Sequence, residues 1–584
     1  MQLVRRFRIP ALFCAVSVLV CELISHPFAE MGISDDGPYV SMVHTLATTG
    51  HILYTGWAAP MLVWQLIFAA AFVKLFGFSY SVVRMSTILN ACVMAFVLQR
   101  ILVRVGISER NATLGTLALV LSPLYLVLSA TFLTDITGLF AIVICLYGCL
   151  RALQSATDRG AIAWLVFAVI TNAIFGTSRQ IAWLGILVML PSTLWLLRSR
   201  RQVVIAGVAA TLAGVLFIVV CLQWLKHQPY SIPEHLIPTV FPFANPIGEI
   251  AHTIGEFVHT FLDVPFLLLP LFALFLPQIR KSRSRVQIMI AAISLIYLLF
   301  AIHLKPSHPD FLLEPTAGAR GGWVGIHSIH EGTDLLGEPP IFLPTVMQIL
   351  ITIISIGGLL GLLASFARSR ASEISTPVSP YPRVSWKQLA ILLAPYTTAY
   401  TLLLIPRATN LLFDRYMLAP LVILVLCLVR YYQDTISPRI PVAGVLLVAI
   451  MAGFGVVHTH NTFAFYRARV TLAAEVHSAG IPDTSVDNGW EHNFDVELQH
   501  SDHINFPTIV VPAHAYVLTP PPPPNTCKVF WYDYTPHIHA LYGVSFDPNS
   551  CYGPASFAPA HYSRWLARTP GTLYVVRYTP LSNP

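Results

Sequence analysis

Two runs of this chain, Val203 to Leu225 and Ile341 to Phe366, contain no charged residue. Roughly 20 apolar residues of helix, rising about 1.5 Å each, cross a hydrocarbon core about 30 Å thick. Inside that core every backbone amide must find its partner within the segment, so runs of this kind fold as spanning helices. The rest of the chain has the same character: 55% of residues are hydrophobic and 11% charged, whereas soluble domains carry about 25% charged residues. A soluble enzyme is excluded and a polytopic helical membrane protein is expected. The net charge of +7, from 35 Lys+Arg against 28 Asp+Glu, then marks loops on one side of a membrane rather than a nucleic-acid surface.

Basic residues gather at Arg5/Arg6/Arg8, Arg100/Arg104/Arg110, Arg151/Arg159, Arg198/Arg200/Arg201, Arg280/Lys281/Arg283/Arg285, Arg368/Arg370/Arg383/Lys387 and Arg430/Arg439. The alternate loops hold Arg179, Lys226, Lys305, Arg320, Arg407 and Arg415. This asymmetry places the first set and the N-terminus inside. The apolar run from Pro10 to about Ile24 reads as a retained first span rather than a cleaved signal. Met61 to Phe76, interrupted by Gln65 and Lys74, reads as a helix lying on the outer membrane surface or entering it partway. Spans are expected to begin near residues 9, 82, 111, 136, 161, 180, 203, 257, 287, 342, 388, 416 and 441, about thirteen crossings that leave the C-terminus outside.

From residue 458 hydrophobicity falls and His, Asn, Asp and Pro become frequent. A helix is expected over Phe463 to Ala479, strands at Thr508 to Val511, Lys528 to Tyr532 and Thr572 to Tyr578, and a linker at Pro520 to Pro524. The expected organisation is an all-α polytopic membrane domain with juxtamembrane helices (1–457) followed by a small α+β extracytoplasmic domain (458–584). Seven of the nine cysteines, Cys14, Cys21, Cys92, Cys145, Cys149, Cys221 and Cys427, fall within apolar runs and read as small buried hydrophobes. Cys527 and Cys551 lie in the outside domain, where an oxidising compartment favours a disulfide.

Carboxylates at a membrane edge are costly and mark candidate chemistry. Ser34-Asp35-Asp36-Gly37-Pro38-Tyr39 follows the first span, with a short helical stretch from Val40 to Ala47. Adjacent carboxylates repel one another, which favours holding a proton or sharing a cation and suits a general base. Thr134-Asp135 sits at the outer end of another span, so Asp35, Asp36 and Asp135 face one compartment. Helix capping is the plainer alternative for all three. Arg179, Arg407 and Arg415 also lie at outer span ends, where a planar guanidinium suits phosphate oxygens; interfacial snorkelling is the alternative there. His303, His308, His327, His330, His458 and His460 lie outside or at its edge. The spacings in His458-Thr459-His460 and His327-Ser328-Ile329-His330 occur in metal sites, but without a carboxylate framework they read as solvated loop histidines.

The order of these features resembles the GT-C superfamily of membrane glycosyltransferases, in the branch containing protein O-mannosyltransferases and lipid A aminoarabinose transferases. It begins with Asp35-Asp36 and Tyr39, passes through the apolar stretch ending Leu75-Phe76-Gly77-Phe78-Ser79 and running into Val83-Arg84, and continues with Leu121-Ser122-Pro123-Leu124-Tyr125 and Phe132-Leu133-Thr134-Asp135. Phe413-Asp414-Arg415-Tyr416-Met417-Leu418-Ala419-Pro420 resembles the family's late Arg-Tyr element. The resemblance covers about 1–200 and 387–431 and does not reach the tail. It implies a first-loop aspartate as base, commonly in an Asp-Glu pair, and a polyprenyl-phosphate sugar donor. Juxtamembrane helices after the first span are also implied, at Val40 to Ala47 and Met61 to Phe76. Asp36 stands where Glu is commoner, so either carboxylate can be the base.

The sequence therefore implies an inverting GT-C-type glycosyltransferase of the bacterial inner membrane, acting on its periplasmic side on a lipid, glycan or protein acceptor. Asp35, Asp36 and Asp135 are the catalytic candidates, Arg179, Arg407 and Arg415 the donor-phosphate candidates, and Tyr39 and Tyr416 the substrate contacts. A divalent metal ion shared by Asp35, Asp36 and Asp135 is the one cofactor considered, since some family members use one. Nucleic acid is not an expected partner; membrane lipids are. A secondary transporter would show two similar halves with broken helices, and no such repeat is visible. An inactive scaffold with a binding tail is the third reading.

Overall fold

The computed structural model describes residues 9–232, 246–281, 345–368, 381–408 and 412–580, together with isolated positions at 287–292 and 335–340; residues 523, 525, 528 and 530 fall outside it. Apart from those isolated positions the expected span near residue 287 lies outside the described residues, as do His303, His308, His327 and His330. The helices are α1 (Ile9–Ser25), α2 (Asp36–Thr49), α3 (Val63–Phe76), α4 (Tyr80–Arg104), α5 (Glu109–Val120), α6 (Pro123–Ser129), α7 (Thr134–Leu153), α8 (Asp158–Phe175), α9 (Leu190–Leu196), α10 (Arg201–Lys226), α11 (Pro246–Leu267), α12 (Thr345–Arg368), α13 (Trp386–Ala408), α14 (Leu418–Thr435), α15 (Val442–Ser478) and α16 (Gly489–Ser501).

Among the described residues, eight helices are long and apolar enough to cross a membrane, or nine with the bent pair α5–α6. Their outer faces carry large apolar side chains, such as Leu212, Leu216 and Val220 on α10, which water would disfavour and lipid accepts. The chain is an integral membrane protein. Thirteen full spans are not found among the described residues. The segment expected to cross from residue 111 bends by 67° between α5 and α6. Pro123 has no amide for the preceding turn and disfavours helix at the residue before it, while Ser122 Oγ accepts the amide of Tyr125 at 3.3 Å and restarts the helix. The segment from residue 180 is short and irregular, a tight 3-10 turn (Gln180–Trp183) and a wide π turn (Gly185–Met189) leading into α9.

The spanning helices have distinct ends. At the start of α4, the amides of Tyr80 and Ser81 donate to Glu30; at its finish Arg104 donates to Gln154 at 2.9 Å. Asp135 opens α7 and Arg151 closes it, and Arg415 precedes α14, whose far end carries Arg430 and Asp434 3.4 Å apart. One end of the bundle thus collects Asp35, Asp135, Arg179 and Arg415, and the other, roughly 30 Å away by helix rise, collects the basic clusters.

The expected boundary at 458 falls inside α15, which runs unbroken for 37 residues. No Pro or Gly lies between Val456 and Phe463, and the hydroxyls of Thr459 and Thr462 bond back to carbonyls of the preceding turn. His458 and His460 are therefore buried helix residues rather than solvated loop histidines: His460 Nδ1 lies 3.1 Å from the Ser25 carbonyl and its ring stacks on Trp565. Beyond α15, a four-stranded sheet has the order β1 (Val486–Asp487), β2 (Tyr542–Ser545), β4 (Gly571–Arg577), β3 (Ala560–Tyr562), parallel between β1 and β2 and antiparallel elsewhere. Thr508 to Val511 forms no strand, because Pro507 and Pro512 flank it and take backbone donors away. The described residues of Lys528 to Tyr532 form none either. Cys527 and Cys551 form a disulfide with Cα atoms 6.1 Å apart.

Candidate active site

A cavity of about 240 Å³ opens where α2, the start of α7, the break after α8 and the turn before α14 meet. Asp35, Tyr39, Asp135, Arg179, Arg415 and Tyr416, six of the sequence candidates, all line it.

Each is placed by a departure from regular helix. Asp35 sits in the turn before α2, directly after Ser34, which has a left-handed φ of 53°. Asp135 lies in the first turn of α7, where the helix dipole favours a negative charge. Arg179 falls between two short 3-10 turns. The broken backbone there is partly satisfied by Asn172, whose amide donates to the carbonyls of Ala141 and Ala182 and accepts from the amide of Ile186. Irregular backbone at membrane depth survives when it is bonded in this way and lines a cavity. Gly138, one turn along α7 from Asp135, leaves room for the Arg179 stem; an added Cβ would lie 3.1 Å from Arg179 Cβ. Arg415 is in a 3-10 turn, Asp414–Met417, whose first carboxylate accepts the Arg415 amide at 2.7 Å.

The charges interlock. Arg415 Nη2 donates to Asp35 Oδ2 at 2.9 Å, and its Nε lies 3.9 Å from Asp135 Oδ2. Arg179 pairs with Asp135 Oδ1. The guanidinium of Arg179 lies over the Tyr416 ring and that of Arg415 over Phe413. Asp35 is the most open of the acids, with 23% of its side chain exposed, against 3% for Asp135. The indole N–H of Trp57 donates to Asp35 Oδ1 at 3.0 Å.

Asp36 does not join them. It is fully buried and held by Arg84, through Nε to Oδ2 and Nη2 to Oδ1 at 3.0 Å each, and by the amides of Ile33 and Phe132 at 2.6 and 2.9 Å. Arg84 also donates to the carbonyls of Ala29 and Met31. This ion pair ties the first loop to α4 and leaves Asp36 without access to the cavity. The trio Asp35, Asp36 and Asp135 therefore does not fit a shared metal ion, since all three already hold arginines, and among the described residues no group of three metal-ligating side chains occurs. Arg407 lies in α13, and its side chain is outside the described residues.

Sequence reasoning missed Trp57 and Gln180, which also line the cavity, and the link from the tail. Trp57 lies in a Gly/Pro-bounded aromatic stretch, Tyr54 to Pro60, of the same region between α1 and α3 as Asp35, which is the signal available for it. In the tail, Asp495 on α16 accepts the Tyr80 hydroxyl at 2.7 Å. Burial pushes its carboxyl up to about 7, with the nearby Asp36 charge adding to the shift.

No family model and no curated protein matches the chain. Several solved structures, among them these three, are similar to it. The first is ArnT from Cupriavidus metallidurans bound to undecaprenyl phosphate, with 15% identity, coverage of 96% of this chain and 97% of that one, and a TM-score of 0.39. The second is the archaeal oligosaccharyltransferase AglB from Archaeoglobus fulgidus, in complex with an inhibitory peptide and a dolichol-phosphate, with 12% identity, coverage of 91% and 69%, and a TM-score of 0.41. The third is the S. cerevisiae protein O-mannosyltransferase Pmt1-Pmt2 complex bound to the sugar donor, with 14% identity, coverage of 38% and 33%, and a TM-score of 0.32. This chain thus spans a third of the mannosyltransferase it matches, and with all three TM-scores under 0.5 no family is assigned to it.

Proposed function

We propose that the chain is a membrane glycosyltransferase that moves a sugar from a polyprenyl-phosphate donor to an acceptor hydroxyl or amine, with inversion, at the outer face of a bacterial inner membrane. One observation carries the reading. The polar cavity with its two acids and two arginines shares Gln180 with an apolar groove of about 840 Å³, lined by Trp183, Leu187, Ile218 and Leu222 among others. A donor with an anionic head and a long apolar tail matches that junction: the arginines meet the phosphate and the groove meets the isoprenoid.

In this mechanism Asp35 takes the proton from the acceptor nucleophile. The acceptor atom attacks the anomeric carbon, the carbon–oxygen bond to phosphate breaks, and the departing phosphate keeps the electron pair. Arg179 and Arg415 face the charge that grows on the phosphate, where fixed donors in a dry site act most strongly. A single displacement inverts the anomeric centre. Asp135 holds both arginines, and Tyr39 and Tyr416 wall the site. The outside assignment of this end, and of the tail, follows from the basic clusters at the other end.

The test uses purified protein in nanodiscs with a panel of radiolabelled polyprenyl-phosphate sugars and a membrane extract as acceptor. Transfer is expected with at least one donor. Asp35→Asn is expected to lower turnover by roughly 10²- to 10⁴-fold with the fold retained; turnover near wild type in that variant removes Asp35 from the role of base.

A further inference from the structure

Trp57 belongs to the first outside loop, yet the rings around it all come from the C-terminal domain. Trp490 and Phe494 of α16 lie 5.6 and 4.8 Å from it, Phe506 5.4 Å, Tyr534 6.0 Å and Trp531 6.5 Å, centroid to centroid. The backbone is joined at the same place. The amide of Ile504 donates to the carbonyl of Thr55 at 2.8 Å. Gly56, at φ 79°, lets the tail come this close, since an added Cβ would stand 2.7 Å from the Ile504 carbonyl oxygen. Edge-to-face packing from several sides fixes an aromatic ring in orientation as well as position. What that ring presents to the cavity is a single N–H, and it goes to Asp35 Oδ1 at 3.0 Å.

The other oxygen of Asp35 receives Arg415. That contact is shared, because the same guanidinium lies 3.9 Å from Asp135 and faces the cavity in which a donor phosphate would compete for it. Trp57 is a hold on Asp35 that does not depend on the arginine.

We infer that Trp57 is a positioning residue for Asp35, held in place by the C-terminal domain, so that the docked domain completes the active site. The inference rests on the reading of Asp35 as base. With Asp35 Oδ1 tied to the indole, Oδ2 is the oxygen left to meet the acceptor proton once Arg415 turns to phosphate. Small displacements of a base change rate far more than binding.

The experiment uses the full chain in nanodiscs and the sugar lipid that gives turnover in the panel above. Trp57→Phe keeps the ring in its box and deletes the N–H; the expected result is a fall in kcat of about 10- to 100-fold, the weight of a hydrogen bond to a charged group, with the donor KM within twofold of wild type. Phe506→Leu, which loosens the box from the tail side, is expected to lower kcat severalfold in the same pattern. In protein labelled with 15N-tryptophan, the indole resonance absent from Trp57→Phe is expected to shift in Asp35→Asn. Wild-type kcat in Trp57→Phe alongside an inactive Asp35→Asn overturns the positioning role and leaves the base standing. A parallel rise in KM and fall in kcat, or an indole resonance that ignores Asp35→Asn, overturns it as well. An active Asp35→Asn removes the base and this inference together. If Trp57→Phe fails to fold, Phe506→Leu decides: wild-type kcat in it overturns the positioning role.

Discussion

Replacing Asp36 by asparagine separates two roles that the adjacent carboxylates confound. In the native structure both oxygens of Asp36 accept two hydrogen bonds, one from Arg84 and one from a backbone amide, and 1% or less of either side chain in the pair is exposed. Asparagine keeps one carbonyl oxygen and turns an NH2 toward donors, so one amide and one guanidinium nitrogen lose their acceptor. Removing one partner of a buried ion pair costs about 3–5 kcal/mol. Arg84 keeps the carbonyls of Ala29 and Met31, which favours the lower end, and about 3 kcal/mol is roughly a hundredfold in the folding equilibrium. The assay is the half-life of the monodisperse protein in detergent at one temperature, since large membrane proteins unfold irreversibly. Asp36→Asn is expected to shorten it by up to roughly a hundredfold, and Asp36→Asn with Arg84→Gln should recover about 1–3 kcal/mol as coupling. Asp35→Asn, at a more open site, should leave the half-life near wild type. A stable but inactive Asp36→Asn would refute this assignment and return Asp36 to the chemistry.

Two further outcomes follow from the same contacts. Arg415→Lys keeps the charge but loses the planar fork that reaches Asp35 and Asp135 together, so undecaprenyl-phosphate binding should weaken partly in Arg415→Lys and more in Arg415→Ala; equal binding by both variants would place the phosphate elsewhere. Asp495 is pushed from its ordinary 3.8 up to about 7 by burial, so the folded state holds its proton where the unfolded chain has lost it. Its contribution to stability is complete below about pH 4 and disappears as pH rises through about 7. Protection factors of α16, which take out the faster intrinsic exchange at high pH, should therefore be larger at pH 5 than at pH 8. Asp495→Asn should reduce that difference without removing it, because Asp487, pushed to about 6 by burial, acts with the same sign; an unchanged difference would dismiss Asp495 as its source.

Much of the candidate site was legible because membrane-edge charges have few reasons to exist. Asp35, Asp135, Arg179 and Arg415 lie far apart in the chain, yet topology alone put them on one face, and the structure brings them into one cavity. What topology could not supply was the direction of each side chain. Asp35 and Asp36 are neighbours of the same chemistry, and only the approach of Arg84 from α4 separates the exposed acid from the buried one. Among the described residues the span count is not matched where an apolar run bends, at Ser122-Pro123, or is short and irregular, from Gln180 to Leu196. Among the described residues of the tail, only the expected strand at Thr572 to Tyr578 is matched by a strand, β4, since β1 to β3 are too short to show a pattern. The junction of the tail with Trp57 is made of aromatic contacts between segments more than 400 residues apart, which leave no local trace.

The unbroken α15 also has a mechanical meaning. At about 1.5 Å per residue it is a rod of roughly 55 Å, of which about 30 Å suffices to cross the bilayer; the remainder stands out of it and is bolted to α16 by Tyr466 and Arg469 on Glu491. A rod transmits phase. Inserting one residue above the membrane would turn everything beyond by about 100° and lift it by about 1.5 Å, carrying the aromatic rings away from Trp57 while leaving every span intact. A protein built this way tolerates length changes in its loops and almost none along this helix.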